Sequence, residues 1–208
     1  MAAPSLGYAM NLPFLDEETC RRLGVDDSGL DLYQHTFHPD LPGLAFVGLY
    51  KQVGPYLPVV ELQARWVATA WSGVRPLPDR ATMLAAVAAD REKRKVRSEF
   101  ICHDLALQFA AAAGVAPDIA GRPHLARALV FGPLAPAQFR LDGHGSRPDA
   151  EQRFAEAVAA FGRDTSPDLA PEERAGLEML AGKLKDEPWL AEFLGKLPPI
   201  ATSAAAQR

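Results

Sequence analysis

A short, wholly apolar run, Leu44-Ala45-Phe46-Val47-Gly48, lies between the turn signal Pro42-Gly43 and a stretch rich in glycine and proline over residues 49–58. Such a run suits a strand buried on both faces. A strand of that kind constrains the fold, because its amide and carbonyl groups need neighbours on both edges. Residues 1–60 offer few. Leu32-Tyr33-Gln34-His35-Thr36-Phe37 alternates apolar and polar residues, which predicts a half-buried strand over 32–37. His38-Pro39-Asp40 ends it, since proline has no ladder donor. The two runs can form an antiparallel pair or flank one strand of a larger sheet. The first third of the chain reads as the end of a domain whose beginning lies elsewhere.

Beyond Pro58 the pattern turns helical. Val59, Leu62, Trp66 and Ala70 are three and four apart and share one helix face, which predicts a helix near 59–72. Residues 79–114 read as two helices or one bent helix. Short helices are expected at 124–131, 148–161, 171–185 and 187–194, and the tail from Pro198 is expected to fray. The fold class is therefore α+β and mostly α-helical. Residues 1–75 form a first part carrying the strands, 76–195 a helical region, and 196–208 a tail.

Composition narrows the function. The chain has 208 residues, enough for one domain or two, and a formal net charge of −4. A mildly acidic chain lacks the basic footprint of a nucleic-acid binder. The mixed-sign run Asp90-Arg91-Glu92-Lys93-Arg94-Lys95 reads as a solvated helix face. Two cysteines, Cys20 and Cys102, make no disulfide framework and suit reduced thiols. The start lacks the basic and apolar regions of a secretory signal, and no run approaches the roughly 20 apolar residues of a membrane span. A cytoplasmic protein without a membrane or nucleic-acid partner is expected.

Self-contained active-site motifs are missing. The sequence has no G-x-G-x-x-G opening a strand–helix turn, no phosphate loop ending in Lys-Ser/Thr, and no H-E-x-x-H, C-x-x-C or G-x-S-x-G. Cys102-His103-Asp104 offers three ligand types, but neighbours on a helix point about 100° apart and cannot face one ion together. Cys102 reads as a small buried apolar residue, and no metal site is expected. His35 and His38 read as structural. Residues 48–58 are more informative, because they link an apolar strand to a helix. In open α/β sheets ligands bind at the carboxyl ends of strands, beside helix N-termini that favour negative charge.

Several motifs in register carry a resemblance. Gly7-Tyr8 and Leu12-Pro13-Phe14-Leu15 are followed by Leu32-Tyr33-Gln34-His35-Thr36-Phe37-His38-Pro39 and Leu44-Ala45-Phe46-Val47-Gly48-Leu49. Then come Glu61-Leu62-Gln63-Ala64-Arg65-Trp66, Phe131-Gly132-Pro133 and Gln138-Phe139-Arg140-Leu141. In this order and spacing the chain resembles the C-terminal part of the flavin-containing monooxygenase family, over residues 7–145. The resemblance implies an oxidoreductase that uses FAD and NADPH to transfer one oxygen atom to a soft nucleophile, an amine nitrogen or a sulfide. The fold it implies is the C-terminal part of a Rossmann-type FAD/NAD(P)-binding fold, with a few strands and a helical extension. Residues 44–48 would add the last sheet strand, and residues 49–58 would lie beside the flavin ring. Gly48, Lys51, Gln52 and Gly54 are the cofactor-binding residues the resemblance implies, while Arg65 and Trp66 would fix the helix into its domain.

The departures shape the expectation. Both glycine-rich motifs of the family would lie upstream of Gly7-Tyr8, as would its active-site asparagine. Ser5-Leu6 stands where Ala-Thr is expected, and Lys51-Gln52 where many members have Gln-Pro. The chain is therefore expected to be a fragment, a truncated gene product or one subunit of a split enzyme, inactive alone and without tight FAD or NADPH binding. Its expected partners are a separate chain carrying the N-terminal nucleotide-binding half and a small amine or sulfide substrate. The alternative is a non-enzymatic helical interaction module.

Overall fold

The computed structural model describes residues 12–24, 30–96, 100–119, 121–166, 172–173 and 175–176. The expected helix at 187–194 and the tail at 196–208 lie outside them, as does all but residues 172–173 and 175–176 of the helix at 171–185. The described residues are mostly helical. The chain divides into two units, residues 1–113 and 114–208. The expected boundary at residue 75 falls within the first unit.

The first unit opens with helix α1 (Glu17–Leu23). Its ends are set by chemistry written in the sequence. Asp16 accepts the Thr19 amide hydrogen at 2.9 Å, and Gly24 closes the other end at φ +62°. Leu12, Leu23, Leu30, Leu32 and Phe46 gather into a small core behind it.

Neither expected strand forms as one. Tyr33 and Phe37 bond each other through both backbone amides, at 2.7 and 3.2 Å, so residues 33–37 make a tight turn. Gln34 and His35 sit at its tip with φ of +44° and +57°. The apolar–polar alternation is satisfied by this turn, which buries Leu32 and Phe37. The run 44–48 touches it through one bridge, Phe37 to Ala45, and the Phe46 amide donates to the Thr36 carbonyl at 2.9 Å. Val47 is exposed, so the run is not buried on both faces.

The β-ladder of the described residues lies elsewhere. Strand β1 (Gln52–Val53) pairs in parallel with strand β2 (Phe100–Ile101), Gln52 opposite Phe100 and Val53 opposite Ile101. Between them run helix α2 (Tyr56–Trp71) and helix α3 (Arg80–Val96). Helix α2 starts three residues earlier than the pattern from Val59 indicates. Pro58 belongs to its first turn, where a missing amide hydrogen costs nothing. Helix α4 (Cys102–Ala113) follows β2 and packs on α2, with the Trp66 and Phe109 rings stacked at 5.9 Å. Phe37 meets Trp66 edge-on at 4.9 Å, which ties the 33–37 turn to the same aromatic centre. The mixed-sign run falls late in α3, where Arg91 pairs with Asp31.

The second unit holds helix α5 (Ala126–Phe131) and helix α6 (Ala150–Ala160), with 3-10 turns at Pro123–Leu125 and Pro136–Arg140. Phe154 and Val158 of α6 are fully buried among Leu125, Ala126, Leu129 and Ala135. Burial of one such side chain contributes about 1.5–3 kcal/mol. Asp142 accepts from the Asp118 amide at 2.8 Å and from Arg122 at 2.7 Å, fastening two loops together.

Candidate functional site

Residues 48–56 carry all four sequence-derived candidates. Gly48 has φ +78°, a conformation that favours glycine. Gly54 has φ +110°, and a Cβ there would stand 2.5 Å from the Cys102 Sγ. The space beside Gly54 is thus filled by the first residue of α4, so its missing side chain serves the packing of β1. Lys51 is exposed, and Gln52 is half-buried in β1.

Two tyrosines shape the stretch. The Tyr50 and Tyr56 rings stack at 6.0 Å, nearly parallel. The Tyr56 hydroxyl donates to the Tyr50 carbonyl at 2.7 Å and accepts the Gln52 amide hydrogen at 3.3 Å. The Gln52 side chain donates to the Pro55 carbonyl at 2.8 Å. Burial raises the pKa of the Tyr50 hydroxyl, with neighbouring Tyr56 adding to the effect, so it stays protonated. The Tyr50 hydroxyl and Gln52 Oε1 are both buried and find no hydrogen-bond partner among the described residues. Buried polar atoms of this kind are uncommon and call for an explanation.

Gln63 holds the entry to the stretch. It is fully buried on α2, and its Oε1 accepts the Gly48 amide hydrogen at 2.7 Å. Its Nε2 faces the Phe46 carbonyl at 3.0 Å, the Thr36 hydroxyl at 2.8 Å and the His35 carbonyl at 3.2 Å. Sequence reasoning did not single out Gln63, Tyr50 or Tyr56. One signal pointed to Gln63: it stands four residues from both Val59 and Val67, a polar residue on an apolar helix stripe.

The other candidates are structural. Cys102 is buried, as its place in the sequence suggests, and burial raises its thiol pKa. Its Sγ lies 3.3 Å from His103 Nδ1. His38 accepts the Asp40 amide hydrogen at 3.1 Å. Arg65 is half-buried, and buried Trp66 sits between Phe37, Tyr33 and Phe109. Among the described residues no group of three His, Cys, Asp or Glu side chains could hold a metal ion. No helix there is long and apolar enough to cross a membrane.

The flavin-binding monooxygenase-like family model matches residues 3–159. The chain belongs to that family. It is 36% identical over 153 residues to dimethylaniline monooxygenase [N-oxide-forming] 2 of Rattus norvegicus. It is 33% identical to flavin-containing monooxygenase 1 of Homo sapiens and 32% identical to flavin-containing monooxygenase 5 of Mus musculus, over 153 and 155 residues. Each alignment covers 67% of this chain and 28% of the relative. The chain thus corresponds to less than a third of the length of these monooxygenases.

The stretch around Gly48–Gly54 lies inside the matched region of this flavin-binding monooxygenase-like chain, and its chemistry fits a flavin ring. A flavin carries hydrogen-bond donors and acceptors along one edge. Tyr50 and Gln52 supply a buried donor and a buried acceptor that have no other partner among the described residues. Helix α2 has Pro55 at its N-cap, with no side-chain cap and no acidic residue in its first turn, so negative charge beside it meets no carboxylate of that turn.

Proposed function

We propose that this chain supplies the flavin-facing part of an FAD- and NADPH-dependent monooxygenase acting on a soft nucleophile, an amine nitrogen or a sulfide. The observation that carries the reading is the family match across the stretch where Gly48 and Gly54 hold positive φ. On this reading residues 44–56 belong to the C-terminal part of a Rossmann-type nucleotide-binding fold. FAD, when bound and reduced by NADPH, supplies the chemistry that places one atom of dioxygen on the substrate. Gly48 and Gly54 set the backbone path beside the ring. Gln52 Oε1 and the Tyr50 hydroxyl take its polar edge, and the start of α2 with exposed Lys51 favours the negative charge of the reduced ring.

The sequence of residues 1–208 has no G-x-G-x-x-G motif to hold a pyrophosphate. That grip is therefore assigned to polypeptide outside these residues, in the same protein or in a partner chain. Exposed apolar side chains support contact with such polypeptide. Leu57 is 82% exposed, and Val53 and Ile101, neighbours in the β-ladder, are 60% and 45% exposed. A cytoplasmic setting belongs to the same proposal, supported by the free thiols Cys20 and Cys102.

The test is co-expression of this chain with an N-terminal half carrying both glycine-rich motifs of the family. Co-purification with bound flavin and amine- or sulfide-dependent NADPH oxidation is the expected result. A chain that stays colourless and idle with every such half would overturn the reading. So would stoichiometric flavin on the chain purified alone.

A further inference from the structure

We propose that Gln63 is the positioning residue of the flavin-facing loop, one buried side-chain amide on α2 that sets the path of residues 46–48. The inference rests on the reading of that loop given above. It starts from which hydrogen-bonding groups surround the amide. The Gly48 N–H can only donate, so Oε1 must face it, 2.7 Å away. The Phe46 and His35 carbonyls can only accept, so Nε2 must face them. The Thr36 hydroxyl already donates to the Gln34 carbonyl at 2.8 Å and offers Nε2 a lone pair. A flipped amide would set donor against donor and acceptor against two acceptors.

No other side chain serves here. Glutamate has the length but no donor in its charged form, methionine has neither function, and asparagine is one methylene short. Gln63 also joins segments that no strand pairs beyond single bridges: the 33–37 turn with its two positive-φ residues, and the run ending at Gly48. The loop that starts at Gly48 therefore takes its place from α2.

The experiment uses the full ¹⁵N-labelled chain as wild type, Gln63→Met, Gln63→Glu and Gln138→Met. Gln138 is also a buried glutamine, but it bonds the Ala135 amide in the second unit. Two quantities are read: exchange of the Gly48 amide relative to its intrinsic rate, and shifts of the Gly48 and Gly54 amides on adding FMN to millimolar concentration. Gln63→Met is expected to speed Gly48 exchange at least about tenfold while the α4 amides keep their protection. Gln63→Glu keeps an acceptor for the Gly48 amide and loses the donor to the Phe46 and His35 carbonyls, so it is expected to retain more Gly48 protection than Gln63→Met. Gln138→Met should leave Gly48 unchanged. FMN shifts present in wild type and lost in Gln63→Met support the positioning role.

A Gly48 amide equally protected in Gln63→Met overturns the proposal, as does Gly48 exchange as fast in Gln63→Glu as in Gln63→Met. If wild type shows no FMN shifts while Gln63→Met loses Gly48 protection, the flavin reading fails and the control of the loop by Gln63 stands. The two failures are thereby distinguishable.

Discussion

Cys102 occupies the space that a side chain at Gly54 would need, with its Sγ 2.5 Å and its own Cβ 3.2 Å from the place of a Cβ. The contact joins β1 to the first residue of α4. Gly54→Ala therefore meets two penalties, a clash and a φ of +110° that suits glycine. We expect a loss of about 2–4 kcal/mol, read from urea unfolding. Adding Cys102→Ala removes the sulfur and should recover part of that loss, because the two sites are coupled by contact. Full additivity of the two changes would mean that Gly54 does not rest on Cys102.

The Tyr56 hydroxyl bridges the Gln52 amide and the Tyr50 carbonyl. Tyr56→Phe keeps the ring stack and removes the bridge. The residue is 41% exposed, so water replaces part of what is lost. A destabilisation of about 0.5–1 kcal/mol is expected, together with faster exchange of the Gln52 amide. An unchanged Gln52 amide would show that the bridge does not hold β1.

These two contacts illustrate how unevenly the structure can be read from the chain. Val59, Leu62 and Trp66 are buried on one face of α2, as their spacing requires. Hydrophobic periodicity reports burial directly, and a long helix repeats the signal several times. Residues 32–37 misled because alternation over six residues fits a tight turn as well as a strand. The deciding feature, positive φ at Gln34 and His35, leaves no mark in hydrophobicity. Proline at 58 suggested a boundary, yet a first helical turn tolerates it. The four loop candidates came from resemblance, whereas Gln63 required knowing which backbone groups would lie around it. Sequence neighbours do not supply that, since its partners are 15 to 28 residues away.

Asp149 offers a test by pH. Hydrogen bonds from Arg147 and then Arg153, at 2.9 and 2.6 Å, hold its carboxyl pKa well below the usual value of 3.8. A group whose pKa is lowered by folding favours the fold while ionised. Its contribution is complete above pH 3.8 and fades as pH falls through the lowered value. Asp149→Asn should therefore unfold at lower urea than wild type at pH 7. The gap should narrow once pH drops below 3.8. A gap that stays constant down to strongly acid pH would mean that the arginine pairing contributes nothing.

Gly132 tests the second unit through a motif that was visible in the sequence, Phe131-Gly132-Pro133. Proline disfavours a helical conformation in the residue before it, and Gly132 accordingly has ψ of −179°. Its amide still closes α5 by donating to the Ala128 carbonyl at 2.8 Å. That combination aims any side chain at the same carbonyl: a Cβ would lie 2.2 Å from the Ala128 oxygen. The obstacle is backbone, so it cannot swing aside as a side chain would. Gly132→Ala should cost at least about 2 kcal/mol. Gly162 provides the contrast, because a Cβ there meets nothing within 4 Å and only its φ of +70° is unfavourable. Gly162→Ala should cost about 1 kcal/mol. Urea unfolding of both variants in one buffer gives the order. If Gly162→Ala proved the more damaging, the chain could not leave α5 at Pro133 in the way described.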